Sequence, residues 1–122
     1  MRERLSENFY RDEFACHCGC GFDTVDALLI TVLEDLRSIF GGSPVHINSG
    51  ARCWEHNIAV GGGNDSQHLK GKAADITLSM VNEKFVADYL EDAYPDRFGI
   101  GRYRGRTHID VRQTKARWTK ND

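Results

Sequence analysis

The stretch "SQHLKGKAAD", residues 66–75, sets a histidine and an aspartate seven positions apart, with Gly71, Ala73 and Ala74 among the residues between them. Small residues let a loop fold back closely, so His68 and Asp75 can converge. Further along, "THIDVR" at 107–112 carries His108 and Asp110. Two imidazoles and one carboxylate with an open fourth position form the ligand set of a hydrolytic zinc centre. Such an ion brings the pKa of its water to about 7 and polarises a carbonyl. The plainer reading of the same spacing is a structural His–Asp hydrogen bond, and spacing alone allows both. A second cluster is "CHCGC", giving Cys16, Cys18 and Cys20, with Cys53 far downstream.

The elements that must position these groups follow from patterning. Residues 24–40 keep the 3–4 apolar spacing of a helix, with Val25, Leu28, Leu29, Val32, Leu33, Leu36, Ile39 and Phe40 inward and Thr24 as its cap. Residues 81–94 show a second stripe of Val81, Phe85, Tyr89 and Leu90. A short helix capped by Ser6 is expected to turn Phe9, Phe14 and Ala15 inward, and "ARCWEHNIAVGGG" reads as another short helix closed by glycines. "PVHINSG", "AADITL" (73–78), "FGIGRY" and "THIDVR" read as strands, the last two forming a hairpin. On these strands Asp75 shares a face with Ala73, and His108 shares one with Asp110, while Ala74, Ile76, Ile109 and Val111 point the other way. A carboxylate within an apolar strand is costly to bury unless paired or bound to a cation. Helices early and strands late predict an α+β domain with an antiparallel sheet.

Bulk properties set limits. The chain is long enough for one domain, taken as residues 1–122, and 40% apolar with 28% charged residues is ordinary for a globular protein. No apolar run reaches the ~20 residues that cross a bilayer, so no membrane insertion is expected. The first residues, "MRERLSENFYRDEF", have no apolar core after their charges, so a cytoplasmic site of synthesis without a signal peptide is expected. Residues 1–96 carry eight Lys/Arg against sixteen Asp/Glu, and residues 97–122 carry eight against two. That basic tail either coats a solvated surface or meets an anionic partner. Because His108 lies within it, a role near a site is preferred to a nucleic-acid footprint, and no nucleic-acid partner is expected.

The segment "SQHLKGKAAD" resembles the S-x-H-x-x-G-x-A-x-D signature of the M15 metallopeptidases, the zinc D-alanyl-D-alanine carboxypeptidases and related cell-wall endopeptidases. "EFACHCGCG", "INSGARCWEHN", "GGGNDSQH" and "FGIGRYRGRTHIDVR" resemble, in order and spacing, compact M15A-like domains of phage lysis proteins and bacterial murein endopeptidases. The resemblance covers about residues 5–113. It implies the fold shared by D-Ala-D-Ala peptidases and the hedgehog signalling domain, Zn2+ as cofactor, and metal ligands at His68, Asp75 and His108. It further implies that Arg52, in "SGAR", faces the scissile carbonyl, where a fixed guanidinium would stabilise an oxyanion or hold a substrate carboxylate; the plain alternative for Arg52 is a surface salt bridge. Ser66 and Gln67 flank the first ligand and are expected to contact the substrate backbone, although Ser66 could simply shape its loop.

The chain departs from the family at one position. Many relatives carry an acid three residues before the last histidine ligand, where this sequence has Gly105. Asp110 then stands either as the proton-transfer group or as a carboxylate that orients a histidine ligand. The cysteines leave three readings open: a second tetrahedral metal site, a disulfide formed after export, or free thiols. C-x-C spacing counts against the metal, since alternate residues splay on an extended chain. His56, in "EHN", either lines the cleft or packs its helix, and His46 is expected to be exposed.

The expected activity is zinc-dependent hydrolysis of stem or cross-link peptides of peptidoglycan, by a monomeric phage or prophage enzyme that reaches the wall after release or rides on a virion. The alternative is a non-catalytic binding module of the same fold, which the missing acid favours. DNA binding through the arginine-rich tail ranks third.

Overall fold

The computed structural model describes residues 2–120. A five-stranded sheet forms the frame, made of β1 (Val45–Ser49), β2 (Ala73–Leu78), β3 (Gly99–Tyr103), β4 (Arg106–Asp110) and β5 (Ala116–Thr119). The spatial order is β1-β2-β4-β3-β5. The first four strands pair antiparallel, β3 and β4 as a hairpin. β5 adds to the β3 edge in parallel, so the sheet is mixed rather than antiparallel throughout. The segment beyond residue 113, expected as a basic tail, thus supplies an edge strand. "ARWT" is too short and too polar to show the alternation that reveals a half-buried strand.

Three α-helices accompany the sheet: α1 (Ala27–Ile39), α2 (Trp54–Ala59) and α3 (Glu83–Ala93). α1 begins two residues later than the pattern suggests. Its cap is Asp26, whose carboxylate accepts from the Leu28 amide at 2.8 Å, in place of Thr24. Asn82 caps α3 in the same way. Ser6 caps no helix; its hydroxyl donates to Glu34 on α1, and the N-terminal helix is a single 3-10 turn, Arg11–Phe14. Phe9 and Phe14 are buried as expected.

The core lies on one face of the sheet. Val45 and Ile47 of β1, Ala74, Ile76 and Leu78 of β2, Ile100 of β3 and Ile109 of β4 meet Leu29, Leu33 and Leu36 of α1 and Val86 and Leu90 of α3. Removing each large side chain from water contributes about 1.5–3 kcal/mol. Leu28, Ile39 and Phe85 were expected inside but lie exposed, because each helix presents a narrower stripe than the apolar pattern implies. Period-two alternation then fixes the opposite face. Ala73 and Asp75 of β2, His108 and Asp110 of β4, and Gly99 and Gly101 of β3 all lie away from the core.

Candidate active site

Register brings the first two chemical groups together. Asp75 and His108 are direct partners across the β2–β4 ladder, and Asp75 Oδ1 lies 3.0 Å from His108 Nδ1. On the other side of β2, a register shift between Ile47 and Ser49 sets Ser49 opposite Asp75. His68 arrives on a 3-10 turn, Gln67–Lys70, capped by Ser66 and ended by the left-handed Gly71. Its Nε2 stands 3.5 Å from Asp75 Oδ1. One ligand atom from each of His68, Asp75 and His108 lies within 4.8 Å of the others, and all three residues are buried.

The outer nitrogens determine what the inner ones can do. His68 Nδ1 lies 2.7 Å from the Gly50 carbonyl, which can only accept, so Nδ1 carries the proton and Nε2 keeps its lone pair. His108 Nε2 lies 2.7 Å from Asp110 Oδ2, which favours a proton on Nε2 and a lone pair on Nδ1. Two imidazole lone pairs and a carboxylate therefore face one another. Donors held 2.0–2.2 Å from one tetrahedral ion stand about 3.4 Å apart, close to the separations found here. A cation satisfies this donor set, and the carbonyl and carboxylate behind the rings are the partners that metal-bound histidines take. Burial opposes ionisation of Asp75, but its close contacts with His108 and His68 outweigh it and hold the carboxyl well below the usual range, so Asp75 faces the rings as a carboxylate.

Asp110 sits behind His108 with no exposed surface. Its oxygens accept from Arg112 Nε at 2.8 Å and Nη2 at 2.7 Å, from the Arg112 amide and from the Gly99 amide. It does not line the cleft. This placement suits the orienting role and leaves no lone pair facing a substrate for proton transfer. Desolvation pushes the Asp110 pKa up, and His108 and Arg112 together bring it far below normal.

Arg52 lies between β1 and α2, half-buried. Its Nη2 is 3.5 Å from Asp75 Oδ2, while Nε and Nη1 donate to Ser49 and Asn57. It is not a surface salt bridge. Burial lowers its pKa and Asp75 partly restores it, and a guanidinium remains charged throughout the working pH range. Asn57, wholly buried, also donates to the Gly63 carbonyl, which ties the glycine loop to the arginine. Ser66 Oγ accepts from the His68 amide and so shapes the loop, and Ser66 lines the cleft together with Gln67 and Arg52. His56 has no place there; its ring packs edge-on against His17. His46 is exposed.

The cleft over these groups has a volume of about 550 Å³. Its far wall comes from the basic stretch 97–122, which the sequence placed near the site without marking single residues. Trp118 of β5 packs against the His108 ring, with centroids 4.9 Å apart and planes tilted by 49°, and its Nε1 donates to the Tyr103 hydroxyl at 2.9 Å. A Cβ on Gly101 would come within 2.5 Å of the Trp118 indole, so only glycine lets that ring lie over the sheet. The basic stretch divides in two. Arg102 pairs with Asp88 and Glu91, and Arg117 donates to backbone carbonyls, whereas Arg106, Arg112 and Lys120 line the cleft. Among the described residues lining it, Asp75 is the sole carboxylate.

Among the described residues, no helix is long and apolar enough to cross a membrane. No curated protein gives a significant match to the sequence. The family model described as Peptidase M15, however, matches residues 7–110, a span that holds Arg52, the His68–Asp75–His108 group and the strands that assemble it, and the chain therefore belongs to the M15 peptidase family.

Proposed function

We propose that the protein is a zinc-dependent peptidase that hydrolyses peptide bonds of bacterial peptidoglycan, as a D,D-carboxypeptidase or endopeptidase, with His68, Asp75 and His108 as the metal ligands. The observation that supports it most is the convergence of one nitrogen of His68 and one of His108 on the Asp75 carboxylate, each ring held from behind by Gly50 or Asp110. When bound, zinc supplies an acidified water and an electrophile beside the scissile carbonyl.

The protein's own residues do the rest. Ser49, Asn57 and Asp75 hold the Arg52 guanidinium at the cleft, where its fixed charge stabilises the oxyanion that develops on the carbonyl oxygen. Gln67 faces the substrate backbone. Arg106 and Lys120 add positive charge along a cleft that suits peptides rich in free carboxylates, as peptidoglycan stems are. Asp110 keeps the His108 ring in one tautomer and one orientation. The protein is proposed to act as a monomeric, single-domain enzyme with the fold of D-Ala-D-Ala peptidases and hedgehog domains, on the wall side of the membrane, in phage or prophage lysis or on a virion tail.

A second reading, a metal-holding binding module, rests on the cleft's lack, among the described residues, of any carboxylate besides Asp75. Metal-stripped protein incubated with purified sacculi distinguishes the two. Soluble peptide fragments, identified by mass spectrometry, are expected on adding zinc and not with His68→Ala. A zinc-loaded wild type that binds sacculi and releases nothing overturns the enzyme reading.

A further inference from the structure

Cys16, Cys18, Cys20 and Cys53 form a second cluster, apart from the cleft. One Sγ from each lies within 4.8 Å of the others. The separations are 3.5 Å for Cys16–Cys18, 3.8 Å for Cys16–Cys53 and 3.5 Å for Cys18–Cys53. A disulfide needs about 2.05 Å, and it joins two sulfurs rather than gathering four. Sulfurs placed about 2.3 Å from one tetrahedral zinc stand about 3.8 Å apart, which is close to the spacing found.

The backbone supports the same assignment. Cys53 donates its amide to Cys16 Sγ, His56 to Cys53 Sγ and Phe22 to Cys20 Sγ, each at 3.4 Å. Amides directed at sulfur stabilise thiolates and orient them, as partners behind metal ligands do. The objection from C-x-C spacing disappears because the segment is not extended. Cys16 donates its amide to the Phe22 carbonyl and Gly19 donates to the Cys16 carbonyl, which closes a loop. Gly19 at φ +84° and Gly21 at φ +92° take left-handed turns with open space around them, and so alternate cysteines face one point.

We infer that the four cysteines hold a structural zinc ion in an all-thiolate site, separate from the metal proposed at the cleft. All four ligand positions come from the protein, so the ion is closed to water and does no hydrolysis. Its position gives it a purpose. Cys53 follows Arg52 directly and its sulfur caps α2, while Cys16 follows the Phe14–Ala15 segment whose Phe14 carbonyl accepts from the Ala51 amide. The ion fastens the N-terminal loop to the start of α2 and so braces the arginine from behind. Formation of such a site adds its binding free energy to folding.

The test counts metal in the intact protein by native mass spectrometry and reads cobalt-substituted protein by absorption. The expected result is one zinc per chain retained in the His68→Ala/His108→Ala double variant, with a thiolate-to-cobalt charge-transfer band on substitution. Cys18 and Cys20 are exposed, so the Cys18→Ser/Cys20→Ser variant keeps its core; it is expected to lose one metal per chain and that band. If the cleft reading alone is wrong, wild type holds one metal and the serine variant none. The inference is overturned if the histidine variant binds no metal, if all four thiols of the metal-loaded protein alkylate with no metal released, or if the mass shows a disulfide among them.

Discussion

His108 and Asp110 lie two residues apart on one strand, and His108 donates its Nε2–H to Asp110 Oδ2 at 2.7 Å, while the opposite nitrogen of the same ring faces Asp75 at 3.0 Å. The carboxylate behind the ring thereby selects which nitrogen is free. Asp110→Asn keeps the size and most of the packing but weakens that selection. Metal affinity, measured by chelator competition, is expected to fall about 10–100-fold, the usual effect of losing such a partner. A proton-transfer role for Asp110 would instead leave affinity unchanged and lower kcat alone.

Arg52 is tested by replacement with lysine. A point charge on a flexible stem cannot keep the bonds to Ser49 and Asn57 together with a charge at the cleft. The kcat for peptide release is expected to fall about 100–1,000-fold, the range for losing one oxyanion donor. Metal content should be unchanged. Equal kcat in Arg52→Lys would remove the arginine from the reaction.

Gly101→Ala tests the far wall of the cleft. The added Cβ meets the Trp118 ring, and β5 must shift. Overpacking of this kind costs about 1–3 kcal/mol, read as a fall in the unfolding midpoint. Trp118 should also become more accessible to a fluorescence quencher. A variant as stable as wild type, with unchanged quenching, would contradict the packing described.

Glu34 supplies a pH test away from the cleft. Burial works against its charge, but Asn8 and Ser6 donate to it and the net effect lowers its pKa below 4.5. A carboxyl with a depressed folded pKa stabilises the fold above its unfolded pKa, and that contribution disappears as pH falls through the folded value. Wild type should therefore lose stability on acidification below about pH 4.5. Glu34→Gln is expected to be about 1 kcal/mol less stable at neutral pH, since the bonds are partly solvated, and to show a shallower acid limb in denaturant titrations. Parallel acid limbs would exclude Glu34 as a contributor.

Much of the frame was legible before any coordinates. Alternation placed Asp75 with Ala73 and His108 with Asp110 on the face away from the core, and the ladder register agrees with both. Helix caps were harder to read, because Thr24 and Asp26 both offer a side-chain oxygen ahead of the helix, and the cap is Asp26, the stronger of the two. Trp118, Tyr103 and Arg112 were not marked as cleft residues, since a wall built from an edge strand and a hairpin has no local signature. The objection to C-x-C as a cluster assumed extended backbone, and two left-handed glycines remove it.

The sequence by itself determined which side chains are available to the site and which face of each strand they occupy, because both follow from residue type and a period of two. Only the tertiary structure decided how they meet. Strand order sets Asp75 beside His108, a register shift sets Ser49 opposite Asp75, and a parallel edge strand packs Trp118 against the histidine ring. The physical reason is that these contacts join residues far apart in the chain, through pairings that depend on the burial of the whole opposite face.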